Sequence, residues 1–169
     1  MLYSSYNSIK MEKPKIYLET TLFDYYFDSD RDVLHTDTVK LFAEIAEDKY
    51  DAFTSEAVTD ELKIAPTPKK EKMLALLNEY TITLLPVDET ADKLADIYLA
   101  EGIIPVKYRT DGVHISVAAV NGLEFVVSLN FKHIVKIQTT RRANAVNVLK
   151  GFRPIAIVSP MEIVENEDN

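Results

Sequence analysis

"RTDGVHISVAAVNGLEFVVSLNFKHI", Arg109 to Ile134, is the stretch on which the fold turns. Its first part, "DGVHISVAAVNG" (111–122), reads as a helix closed by Gly122. "LEFVVSL" (123–129) follows at once as an apolar run, not an alternation of apolar and polar residues. A strand with one wet face alternates, whereas a strand covered on both faces does not. "ITLL" (82–85) and "IAIV" (155–158) are runs of the same kind.

Outward from this centre the chain keeps changing period. Strands are expected at 15–19 ("KIYLE"), 50–55, 81–87, 123–129 and 154–159. Between them lie helical patterns. A short aromatic helix carries Leu22, Phe23, Tyr26 and Phe27, and a helix over 35–49 places Val39, Phe42, Ala43 and Ala46 on one face. Further helices are expected at 55–65 with Ser55 as N-cap, at 69–80, at 88–102 with Asp88 as cap, and within 138–150, with a short last one at 160–165. "IIPVKYRT" (103–110) reads as a loop. Strands alternating with helices predict an α/β fold, a three-layer α/β/α sandwich around a parallel sheet of roughly five strands. The expected division is a flexible segment over 1–14, a single domain over 15–165 and an acidic tail over 166–169.

The 169 residues, 47% of them hydrophobic, suit one domain with a substantial core. Cysteine is absent, which excludes disulfides, thiolate chemistry and Cys-based zinc sites and suits a reducing cytoplasm. No apolar run reaches the roughly 20 residues of a membrane span, and "MLYSSYNSIKMEKPK" has no hydrophobic signal core. The formal net charge is −8, unlike that of a plain nucleic-acid binder. It is unevenly spread. Phe125 to Met161 contains no Asp or Glu but holds Lys132, Lys136, Arg141, Arg142, Lys150 and Arg153. This stretch reads either as a solvated face or as a basic strip beside an acidic cavity.

Ligands of open parallel sheets sit beyond the carboxyl ends of the strands, where strand order reverses. Glu19 ends the first strand and Asn130 follows the fourth. Asp111 opens the helix that feeds the fourth strand, and Glu61 lies one to two turns into the helix after the second. With strands one and four adjacent, these side chains converge. Acids so gathered raise one another's pKa unless a hard cation joins them. Mg²⁺ or Mn²⁺ suits an all-oxygen set, and a water acidified by it attacks phosphodiesters.

"YLETTLFDYYF", "TSEAVTDELKIA", "RTDGVHISVAAVNGLEFVVSLNFKHI" and "RPIAIVSPMEIV" resemble the successive motifs of PIN-domain proteins, VapC-like type II toxins among them. The resemblance spans Lys15 to Glu165 and is most specific in the subgroup pattern "NFKHI". It implies a sheet ordered 3-2-1-4-5, Mg²⁺- or Mn²⁺-dependent endoribonuclease activity, a homodimer, and neutralisation by a small antitoxin. Carried over by motif, the catalytic and metal positions are Glu19, Glu61, Asp111 and Asn130. Glu19 stands where the family ordinarily has Asp, and Asn130 where it often has Asp. Those departures support an alternative, a catalytically degenerate PIN module that binds protein or RNA. A phosphoacceptor receiver domain fits less well, because "IAIVSPM" supplies no lysine.

Several residues admit two readings. Thr20 and Thr21 either orient a carboxylate or a metal water, or cap a helix. His114 shares a helix face with Asp111 and either supports the site or packs against backbone. His133 reads as structural. Lys132, Lys136, Arg141 and Arg142 are candidates for RNA phosphates or for an acidic antitoxin segment. Asp24, Asp60 and Glu56 read as helix-surface or first-turn acids. Phe23, Tyr25, Tyr26, Phe27 and Phe42 read as core, partner groove or dimer face.

Overall fold

The computed structural model describes residues 12–165. The expected flexible segment lies mostly outside the described residues, and the acidic tail lies wholly outside them. The elements run β1 (Lys15–Leu18), α1 (Thr20–Tyr25), α2 (Asp32–Ala46), β2 (Asp51–Ser55), α3 (Glu56–Leu62), α4 (Lys69–Glu79) and β3 (Thr83–Leu85). They continue with α5 (Glu89–Ala100), a 3-10 turn (Val106–Tyr108), α6 (Arg109–Val120), β4 (Phe125–Val127), α7 (Ile137–Leu149), β5 (Ala156–Val158) and α8 (Pro160–Ile163). The sheet has five strands, all parallel, in the order β3-β2-β1-β4-β5.

β1 lies at the centre, with Tyr17 opposite Phe53 on one side and Val126 on the other. Ile16, Tyr17, Leu18, Val126 and Val127 have no exposed surface, which is why these strands read as continuous runs. Each such aliphatic side chain contributes roughly 1.5–3 kcal/mol by leaving water. The chain builds outward from β1 to β3, then returns to lay β4 beside β1. Strand order therefore reverses between β1 and β4, and Glu19 and Asn130 both lie just past that junction.

α6 is buried from Gly112 through Ala119, as a helix apolar all round should be. At Gly112, which packs against α5, an added Cβ would stand 3.4 Å from Leu99 Cδ1, an ordinary contact. Gly122 ends the helix at φ +67 and leads straight into β4. A Cβ at Gly122 would meet no atom within 4 Å, so the cost of adding one is purely backbone. Gly122→Ala is expected to lower stability by about 1 kcal/mol in urea unfolding. An unchanged midpoint would mean that the turn relaxes out of the left-handed region.

The structure corrects α2. It begins at Asp32, and the buried side chains are Thr38, Leu41, Phe42, Glu44 and Ile45. Val39, Ala43 and Ala46 face outward. The larger Leu41 and Ile45 bury more apolar area than the alanines, and Glu44 follows them because its carboxylate accepts the Glu165 N–H (2.9 Å) and the Tyr50 hydroxyl (3.3 Å). The expected loop over 103–110 contains the 3-10 turn and the first residues of α6. Part of the aromatic group is core, with Tyr25 and Tyr26 partly buried against it. Phe23 and Phe42 are fully buried and meet edge to face at 5.9 Å, and Tyr26 and Tyr80 pack on Phe42 at 4.9 Å each. Phe27 remains partly exposed. Among the described residues no helix is long and apolar enough to cross a membrane.

Candidate functional site

Glu19 leaves β1 and becomes the N-cap of α1. Only 3% of its surface is exposed. Its Oε2 accepts three hydrogen bonds, from Thr21 N–H (3.1 Å), Thr21 Oγ1 (2.5 Å) and Ser128 Oγ (2.8 Å). Thr21 Oγ1 in turn accepts the Leu129 N–H at 2.9 Å, and Ser128 Oγ accepts the Asn130 N–H at 2.9 Å. The hydroxyls thus tie the ends of β1 and β4 together through one carboxylate oxygen. Glu19 Oε1 has no hydrogen-bond partner among the described residues.

Glu61 arrives from α3. Its Oε1 accepts Thr20 Oγ1 (2.7 Å) and lies 2.7 Å from His114 Nε2. Glu61 Oε2 has no hydrogen-bond partner among the described residues. Burial pushes the Glu61 carboxyl up, but the bonds from His114 and Thr20 outweigh it and hold the group below its ordinary range.

Asp111 opens α6 after two residues. Its Oδ1 accepts Asn130 Nδ2 at 3.3 Å. Its Oδ2 is buried and, among the described residues, has no partner. Burial pushes the Asp111 carboxyl up to about 6; the Glu19 and Glu61 charges add to the effect, while His114 and Asn130 oppose it. Asn130 turns its amide nitrogen to Asp111, because its Oδ1 accepts the His133 N–H at 3.1 Å. It therefore orients Asp111 and does not present an oxygen to the acids.

His114 is fully buried. Nδ1 lies 2.7 Å from the Tyr17 hydroxyl, which lies 2.7 Å from Ser55 Oγ. Nε2 lies 2.7 Å from Glu61 Oε1 and 4.0 Å from Glu19 Oε1. Burial alone would lower its pKa, but the Glu61 bond and the charges of Glu19, Glu61 and Asp111 raise it above the ordinary histidine value. The imidazole stands between two carboxylates, and a chain of hydroxyls behind it sets its orientation.

Tyr17, Ser55 and Ser128 are the site residues that sequence reasoning missed. The signals were present. Tyr17 precedes Glu19 by two residues and so shares its strand face. Ser128 is a lone hydroxyl in the apolar run before Asn130. Ser55 does occupy the N-cap position of α3, but its hydroxyl meets Tyr17 and makes no cap bond.

The other acids lie apart from this group. Asp24 pairs with Lys69, Asp60 pairs with Lys63 at 3.0 Å, and Glu56 accepts the Val87 N–H at 3.1 Å. Of the basic candidates, Arg142 is engaged by the carbonyls of Glu101 and Gly102. Lys132, Lys136 and Arg141 are exposed and form no ion pair among the described residues.

Each of the three carboxylates thus has one oxygen held by protein donors and one left without a donor. That arrangement fixes acids in place while leaving lone pairs for a cation. Among the described residues no group of three or more His, Asp or Glu side chains already stands in metal-holding geometry. The free oxygens fit a hard cation in chemistry. Comparison with protein-family models and with curated proteins returns no match for this chain.

Proposed function

We propose that this chain is a divalent-metal-dependent endoribonuclease of the PIN toxin type, with Glu19, Glu61 and Asp111 holding Mg²⁺ or Mn²⁺. The observation that carries this reading is the buried, partnerless Oδ2 of Asp111 beside two further acids at the sheet's switch point. Oxygen-only donors select hard cations. The chemistry such an ion supplies, when bound, is activation of water and neutralisation of phosphate charge.

The protein residues have distinct tasks. Thr21 and Ser128 aim Glu19 by saturating its Oε2. Thr20 and His114 hold Glu61. Asn130 steadies Asp111 and, having no carboxylate, leaves the site a smaller negative charge for RNA phosphate to overcome. The reading carries with it an RNA substrate, a homodimer and a small antitoxin as partners, in the cytoplasm.

The test is cleavage of a single-stranded RNA with Mn²⁺ and with EDTA, using wild type and Glu61→Gln. Metal-dependent cleavage that falls about 100-fold in Glu61→Gln is expected, since the isosteric amide removes the negative charge offered to the ion. A second reading is a non-cleaving PIN module that binds RNA or protein. It is favoured by His114, whose ring fills the space between Glu19 and Glu61. Absence of any Mn²⁺-dependent cleavage by wild type would select it.

A further inference from the structure

Next to the carboxylates, on the far side of Asn130, lies a cavity of about 200 Å³. Ile103, Pro105, Lys132, His133, Lys136, Gln138, Thr139 and Arg142 line it. None of the acids borders it. The His133 ring is set firmly. Tyr108 stacks on it at 3.9 Å between centroids and 28° between planes. Its backbone carbonyl accepts Thr139 Oγ1 at 3.1 Å, and its N–H donates to Asn130 Oδ1 at 3.1 Å. His133 borders the cavity and Tyr108 does not.

Sequence-tolerant binding of single strands combines an aromatic face for a base with cations for the neighbouring phosphates. Both are here. His133 supplies a fixed ring, and Ile103 and Pro105 supply apolar walls. Lys132 and Lys136 stand exposed on either side of His133 in the chain, and neither is spent on an ion pair among the described residues. Arg142, which is spent on two carbonyls, shapes the wall instead. The opposite flank of the site is unlike this one. There a cavity of about 400 Å³ is bordered by Glu56, Asp60, Glu61 and Asp92 against the single cation Arg109, a net negative charge that disfavours a polyanion.

We propose that the His133 cavity is a nucleotide subsite for single-stranded RNA, with one base against the His133 ring and the adjoining phosphates against Lys132 and Lys136. The proposal rests on the ribonuclease reading for its substrate. It adds to that reading a direction: the strand runs from the carboxylates toward α7, not toward α3. Asn130 links the two places, since it touches Asp111 through its amide nitrogen and His133 through its amide oxygen.

The test is fluorescence anisotropy of a dye-labelled 12-nucleotide single-stranded RNA in EDTA, so that binding is read without cleavage. The comparison strand is an abasic oligomer of equal length and charge. Wild type is expected to favour the base-bearing strand by about tenfold. His133→Ala should remove that preference, and His133→Phe should restore it. Lys132→Ala with Lys136→Ala should flatten the slope of log K against log salt by about 1.4, at about 0.7 per phosphate released. Equal binding of the two strands, or a His133→Ala protein that binds like wild type, overturns the subsite. So does a wild type that binds neither strand. Mn²⁺-dependent cleavage is scored separately on the same proteins. Cleavage that persists while the His133 effect is missing removes the subsite alone. A His133 effect without cleavage removes the ribonuclease reading and leaves an RNA-binding surface.

Discussion

Asp111→Asn is expected to abolish Mn²⁺ binding and yet to stabilise the metal-free protein. The two effects have one cause. The Asp111 carboxyl is pushed up to about 6 by burial and by the charges of Glu19 and Glu61. Its unfolded value is near 3.9. The folded state therefore binds the proton more tightly than the unfolded chain does. This contribution favours folding below about pH 4 and is lost as pH rises toward and through about 6. At pH 7.5 the wild-type protein carries an ionised carboxylate with an unpartnered buried oxygen, and asparagine removes that charge.

Full conversion of the displacement corresponds to about 3 kcal/mol. The carboxyl is only half buried, so solvent screening reduces this to about 1 kcal/mol. That corresponds to about 3 °C in Tm for a chain of this size. The gain of Asp111→Asn over wild type should be full at pH 7.5 and fall to about a third of that at pH 4.5. Metal reverses the order. Saturating Mn²⁺ at about 100 times Kd stabilises wild type by about 2.7 kcal/mol and should leave Asp111→Asn unmoved. Thermal melts at both pH values, with and without Mn²⁺, check all of this. A wild type whose Tm ignores millimolar Mn²⁺ would sink the metal site, and a less stable metal-free Asp111→Asn would sink the electrostatic account.

His114→Ala should be the most destabilising single change at the site, by about 4 kcal/mol. The imidazole is fully buried, so its removal leaves a cavity as well as lost bonds. It also strips one partner from the Tyr17 hydroxyl and one from Glu61 Oε1. The Glu61 carboxylate left behind is 38% exposed, so water screens it and the lost pair adds only about 1 kcal/mol to the cavity cost. Against a typical total of about 5–15 kcal/mol, the variant will be marginal. Tyr17→Phe provides the graded control. It keeps the ring, removes one hydroxyl and should cost about 1–2 kcal/mol. Urea unfolding of both variants measures the difference. A His114→Ala cost below about 1 kcal/mol would mean that the histidine is not the clasp between β1, α3 and α6 that the distances describe.

The central strands β1 and β4 were legible because burial on both faces writes itself as an apolar run, as in "FVV"; the runs "ITLL" and "IAIV" fall on edge strands, where Leu84 is exposed and Ala156 and Val158 are only partly buried. Helix ends were legible where their chemistry is local. Asp88 caps α5 by accepting the Ala91 N–H at 2.8 Å, and Gly122 closes α6 in the left-handed region. The buried face of α2 was misread because alanine fits either side of a helix, and the pattern alone could not rank Ala43 and Ala46 below Leu41 and Ile45.

The candidate acids were also legible, since Glu19, Asp111 and Asn130 fall at element ends by local pattern. The sequence by itself determined a parallel α/β sheet and the reservoir of carboxylates at one edge of it. Tertiary structure alone decided which oxygens those carboxylates keep free. Tyr17 and His114 are far apart in the chain, as are Glu19 and Ser128, and only the pairing of β1 with β4 brings them within hydrogen-bond reach. No spacing rule records such meetings, because hydrogen-bond geometry is satisfied in three dimensions and the chain between the partners can take any path that closes the sheet.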